Sequence, residues 1–127
     1  MERLTLTRTV GVWPLTLEII PVGGDFCCII SGGEAPHVGS AVLALPRPSL
    51  TGSGAPSCTS SVLNVPGHKD EALCRLAAET LCRATGRTVT AAGGFHADAL
   101  PLQSARDVVV AMEDMLAEAT AELGKQQ

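Results

Sequence analysis

The sequence predicts an α+β fold: an antiparallel or mixed β-sheet packed against two helices, forming one domain over residues 1–127. Three observations point there. Short apolar runs rich in β-branched residues fill the first half of the chain. Two later stretches repeat apolar residues at spacings of three and four, the helical period. Glycine and proline punctuate the junctions between them.

Residues 3–12 read as a first strand, broken near Trp13-Pro14. Leu15 to Ile20 and Phe26 to Ser31 are strands flanking Pro21-Val22-Gly23-Gly24-Asp25, a turn signal, so they predict a β-hairpin. Val38 to Leu45 is a further strand that Pro46 should end. Pro46 to Pro56 reads as a loop, either plain surface or a cover over a ligand. Cys58 to Val65 offers another strand. Lys69 to Arg83 is the clearest helix, with Leu73, Leu76, Ala77, Thr80 and Leu81 on one face and Gly86 as its stop. Arg87 to Ala92 returns to strand character and should end at Gly93-Gly94. Ser104 to Leu123 is a second helix with an apolar stripe of Val108, Met112, Met115, Leu116, Ala119 and Leu123, followed by a tail expected to fray. An open edge or apolar face on the sheet would invite oligomerisation, and a homodimer is expected.

Composition narrows the function. The chain of 127 residues is too short for a nucleotide-binding domain plus a catalytic one. At 46% hydrophobic and 17% charged it is not a disordered chain. A net charge of −4 and 2% aromatics argue against nucleic acid, which needs cations and stacking surfaces. No run approaches the roughly 20 apolar residues of a membrane span, and the first residues lack a signal peptide's apolar core, so a cytoplasmic location is expected. Five cysteines (Cys27, Cys28, Cys58, Cys74 and Cys82) include no CxxC pair and read as reduced thiols. Cys27 and Cys28 should face opposite sides of a strand, and Cys74 and Cys82 should share a helix face.

The three histidines all lie beside glycines in turn-like segments: Gly32-Gly33-Glu34-Ala35-Pro36-His37, Gly67-His68-Lys69-Asp70 and Gly93-Gly94-Phe95-His96-Ala97-Asp98. Two accounts of a shared site stay open. In the first, the glycine pairs and the start of the first helix offer backbone N–H groups to an anion, with Lys69 and Arg47 as cations. In the second, His37, His68 and His96 with Asp98 ligate a divalent metal, Glu34 and Asp70 being further carboxylates, although spacings near thirty residues form no defined motif. A serine nucleophile at Ser49, Ser60 or Ser61 lacks a GxSxG elbow.

Taken together, Gly32-Gly33-Glu34 through His37-Val38-Gly39, Pro46-Arg47-Pro48-Ser49, Gly67-His68-Lys69-Asp70 and Gly93-Gly94-Phe95-His96-Ala97-Asp98 resemble one family. It is the family of small accessory proteins of gallate-type hydroxyarylic acid decarboxylase systems, regarded as prenylated-flavin chaperones. The resemblance runs from about Glu18 to about Met115. It implies binding of prenylated FMN and its delivery to, or maturation for, a UbiD-type decarboxylase large subunit. A flavin prenyltransferase is a further implied partner, and no decarboxylation by this chain itself is implied. For such a ligand the residues themselves, read as an anion cradle, put Arg47 and Lys69, with backbone from Gly32 and Gly33, at the phosphate. His37, His68 and His96 are expected at flavin polar atoms, at a bridging metal ion, or at both. Phe95 or Trp13 is expected at the ring system, and Glu34 and Ser49 complete the set from the same segments. A small metal-dependent enzyme and a purely structural decarboxylase subunit are the rival readings.

Overall fold

The computed structural model describes residues 2–66, 70–98 and 101–125. Six strands and two helices follow in the order β1 (Leu4–Val10), β2 (Trp13–Val22), β3 (Asp25–Gly33), β4 (Ser40–Pro48), β5 (Pro56–Asn64), α1 (Glu71–Thr85), β6 (Val89–His96) and α2 (Leu102–Lys125). They form one α+β domain, a mixed six-stranded sheet with spatial order β1-β2-β3-β6-β4-β5 and both helices packed against it. The pairings are antiparallel except β3 with β6, which run parallel, Phe26 opposite Val89 and Gly33 opposite His96.

The core lies between one face of the sheet and the helices. Leu15, Leu17 and Ile19 of β2, Ile30 of β3 and Val89 of β6 are fully or almost fully buried there. The α2 stripe is the expected one: Val108, Met112, Met115, Leu116, Ala119 and Leu123 are its buried residues. On α1 the buried face is rotated from the expected one, toward Leu73, Cys74, Ala77, Ala78, Leu81 and Cys82. Small residues and thiols let that helix lie close on the sheet, and Leu76 and Thr80 are left facing α2. Arg8 ties β1 to α2 through Asp114 Oδ2 (2.9 Å) and Glu118 Oε1 (2.8 Å).

Two boundary expectations fail for identifiable reasons. Pro46 does not end β4, because β6 pairs with it only from Ser40 to Ala44. Beyond Ala44 the strand pairs with β5 alone, to Pro48 opposite Pro56, so a residue with no N–H breaks no ladder on the free side. Ser49 N donates to Ala55 O at 3.0 Å and closes that hairpin. Gly93-Gly94 does not end β6, which continues through Phe95 and His96. Gly93 has φ +133°, and a Cβ there would strike the carbonyl of Ile30 on the parallel neighbour. The glycine therefore serves a close strand approach within the sheet rather than a turn.

Candidate functional site

The carboxyl ends of β3 and β6, the starts of β2 and β4, and the N-terminus of α1 meet at one end of the sheet. The centre of that end is Asp70. It occupies the N-cap position of α1, yet its side chain makes no capping hydrogen bond. Instead, Oδ1 accepts the backbone N–H of Phe95 at 3.0 Å and Oδ2 lies 2.8 Å from His37 Nε2. An ionised carboxylate can only accept, so His37 donates from Nε2. The other ring nitrogen of His37 lies 3.3 Å from the carbonyl of Ala35. Asp70 is 7% exposed, so both bonds are formed largely out of water.

Glycines make this carboxylate's place. A Cβ on Gly39 would collide with Asp70 Oδ2, and one on Gly94 would come within 2.5 Å of its Cγ. The backbone around them is held by Gly39 N donating to Gly93 O (3.0 Å) and Val65 N donating to Gly39 O (2.9 Å). The segment from Gly33 to Ser40 is anchored at its start by Glu34 N, which donates to His96 O at 2.7 Å.

The second imidazole, His96, is the last residue of β6. Its ring stands edge-on to that of His37, with centroids 5.5 Å apart and planes at 88°. Its Nε2 lies 3.2 Å from Asp98 Oδ1, a more exposed pairing than that of His37. Trp13 and Phe95 lie at the same end of the sheet and meet edge to face, 6.4 Å between centroids. Phe95 lies close over Gly32, where a Cβ would come within 2.8 Å of Phe95 Cδ2.

The expected site residues divide. Gly32, Gly33, Glu34, His37, Phe95, His96 and Asp98 gather at this end. Gly32 and Gly33 belong to the β3 ladder, opposite Phe95 and His96, so they serve strand packing there rather than forming a turn. Arg47 and Ser49 do not join them. Arg47 lies seven residues along β4 from Ser40, about 23 Å at the usual rise of a strand. Its Nε donates to Thr59 Oγ1 (2.7 Å) and its Nη1 to Pro48 O (3.0 Å). Ser49 Oγ bonds Thr51 Oγ1 at 2.8 Å within the hairpin turn. His68 and Lys69 lie outside the described residues. Among the described residues no group of three His, Cys, Asp or Glu side chains is placed to hold a metal ion; His68, one of the four expected ligands, is not among them.

Sequence reasoning placed Asp70 among spare carboxylates and missed its central position. The available signal was Gly39 and Gly94, whose missing side chains leave the room that its carboxylate fills.

Burial shapes the thiols. Desolvation, then the neighbouring Cys27, pushes the Cys28 thiol up to about 12. Desolvation, then the Asp70 charge, does the same for Cys74, also to about 12, and Cys82 is raised chiefly by burial. None of these three is an activated nucleophile. A separate cleft of about 490 Å³ between α1 and α2, lined by Leu76, Thr80, Ala84, Leu116 and Thr120 among others, contains none of the expected site residues. Among the described residues no helix is long and apolar enough to cross a membrane.

A family model described as the prenylated flavin chaperone LpdD-like domain matches residues 9–124, which include the whole sheet except the first part of β1, and all of the Asp70–His37–His96 end. No curated protein matches the chain. The chain belongs to the LpdD-like prenylated flavin chaperone family.

Proposed function

We propose that this protein binds prenylated FMN at the His37–His96 end of the sheet and delivers it, or holds it during maturation, for a UbiD-type aromatic acid decarboxylase. The observation that carries the reading is the imidazole pair, one member fixed by a buried carboxylate, beside the Trp13–Phe95 pair. A prenylated flavin offers the matching surfaces: ring carbonyls and a phosphate that accept hydrogen bonds, and an extended apolar ring face. His96 would bind its polar atoms, His37 would do so through Nδ1 by exchanging the long, exposed contact with Ala35 O, and Phe95 or Trp13 would pack on the ring. Backbone near Gly33 and Glu34 would border it.

On sequence grounds Lys69, the neighbour of Asp70 in the chain, is the cation assigned to the phosphate, with His68 a further polar contact. Bound flavin supplies the electrophilic chemistry that the large subunit uses on its aromatic acid. What this chain supplies is a held orientation and partial exclusion of water. His37 is well suited to that because Asp70 holds its Nε2 and so orients the ring, while Nδ1 meets Ala35 O only at 3.3 Å, a contact a ligand can replace. No step of this role calls on a divalent ion or on decarboxylation by the chain itself. A flavin prenyltransferase would be the upstream donor and the decarboxylase the acceptor. Five free cysteines, three of them buried, suit a reducing, cytoplasmic setting.

The test is transfer. Apo-decarboxylase should gain activity faster from prenylated FMN supplied together with this protein than from flavin alone, under anaerobic conditions. Equal activation by the Asp70→Ala and wild-type proteins would leave only a scaffold's role. No acceleration by the wild-type protein would remove the delivery role altogether.

A further inference from the structure

The helices cover only one face of the sheet. By strand alternation the opposite face carries Ile20 of β2, Cys27 and Ile29 of β3, Ala92 of β6, and Leu43 and Leu45 of β4. Ile29, Leu43 and Leu45 are 43%, 39% and 48% exposed. The central strands are thus apolar on both sides: Phe26, Cys28 and Ile30 point to the core while Cys27 and Ile29 point away from it. That pattern belongs to strands covered on both faces; a half-solvated sheet alternates apolar with polar.

We infer that a second copy of this chain covers this face, sheet against sheet. Charge and area both favour a copy as the occupant. The chain carries −4 overall, yet this face balances. Arg3 pairs with Glu18 at 3.7 Å on one flank, and Arg47 and Asp25 stand at strand ends, two of each sign. Two such faces meet without net repulsion even though the whole chain is acidic. Around the apolar centre lie hydroxyls: Thr5, Thr7, Thr9 and Thr16 toward one edge, Thr59 and Ser61 toward the other. An apolar centre with a polar rim is the anatomy of a specific interface. Six strands about 4.8 Å apart and about 30 Å long present on the order of 800 Å². A stable interface of standard size buries about that much on each partner. Two sheets would stack about 10 Å apart with their strands nearly aligned.

The dimer needs no flavin, so its test is independent of the site. Sedimentation of the full chain at micromolar concentration should return twice the 13.1 kDa chain mass. Leu43→Lys should return the single-chain mass with an unchanged far-UV circular dichroism spectrum. Leu45→Ser, a milder change on the same face, guards against misfolding of the lysine variant and should weaken the dimer in the same direction. Val110→Lys, on an exposed position of α2, should remain dimeric. A wild-type monomer, a folded Leu43→Lys dimer, or dissociation caused by Val110→Lys and not by Leu43→Lys would each overturn the inference.

Discussion

Asp70 Oδ2 lies 2.8 Å from His37 Nε2, while the same carboxylate takes the backbone N–H of Phe95 on its other oxygen. One buried side chain thereby joins the start of α1, the end of β6 and the segment that carries His37. Removing it by Asp70→Ala strands the Phe95 N–H and takes the carboxylate from His37 Nε2, at a cost of about 1–3 kcal/mol. Asp70→Asn keeps an acceptor for Phe95 and should cost less. Thermal unfolding of the two variants beside the wild type checks the order; equal stability of all three would show that these bonds contribute little.

The glycines opposite Asp70 give a coupling prediction. Gly39→Ala sets a methyl against Asp70 Oδ2, and Gly94→Ala does so against its Cγ. Each should destabilise by about 1–3 kcal/mol in the wild-type background. With Asp70→Gly in place the main obstruction is gone and His37 Nε2, 3.0 Å from the methyl, is the end of a side chain that can shift, so the added cost of Gly39→Ala should shrink by at least about 1 kcal/mol. Gly124→Ala, with open space around its Cβ on α2, should instead be neutral or stabilising. Denaturant titrations of this double-mutant cycle decide it; strict additivity would contradict the geometry.

Much of this arrangement was legible in the sequence, and the misses have a common cause. The α2 stripe followed from spacing alone because α2 buries a single face against the rest of the domain. The hairpin of β2 and β3 followed from Gly23-Gly24 between two apolar runs. What composition and period could not show was pairing. Pro46 looked like a stop because the sequence does not reveal that β6 pairs with β4 only to Ala44. Gly93-Gly94 looked like a turn because the parallel contact with Ile30 is a long-range fact. Arg47 and His37, ten residues apart in the chain, looked like one site. Strand β4 then carries them to opposite ends of the sheet. The gathering of His37 and His96 was readable from their shared glycine-rich contexts, whereas the role of Asp70 depended on which glycines would face it.

The thiols predict a pH effect. Cys28 and Cys74 have folded values raised from 9.0 to about 12. A raised value means that the folded state holds the proton more tightly, so the unfolded chain loses protons first. The stability they support is complete below about pH 9 and falls progressively as pH rises from there toward about 12. The melting temperature should therefore drop through that range, and less so for Cys28→Ala. Near neutral pH, iodoacetamide followed by mass spectrometry should leave Cys28, Cys74 and Cys82 unmodified until denaturant is added. Rapid modification of Cys28 in the folded protein would contradict its burial.

The divided set of cationic residues also separates outcomes. Lys69→Ala should weaken prenylated-FMN binding about tenfold, the worth of one charge-assisted contact to phosphate. Arg47→Ala, about 23 Å from the start of β4, should change it by less than about twofold if each chain binds flavin with its own residues. Equilibrium binding under anaerobic conditions measures both, and a larger loss for Arg47→Ala would assign the phosphate to the other end of the sheet.

The central claim is that the His37–His96 end holds the flavin. Its most direct test is anaerobic titration of the protein with prenylated FMN, read by the flavin spectrum and by co-elution on gel filtration, for the wild type, His37→Ala and His96→Ala. The account predicts a saturable spectral shift and co-elution for the wild type. Each alanine variant should bind at least about tenfold more weakly while keeping a wild-type far-UV circular dichroism spectrum; His37→Ala, which takes the donor from the buried Asp70 Oδ2, should melt lower than His96→Ala. An unchanged flavin spectrum with no co-elution for the wild type, or undiminished binding by both variants, would contradict it.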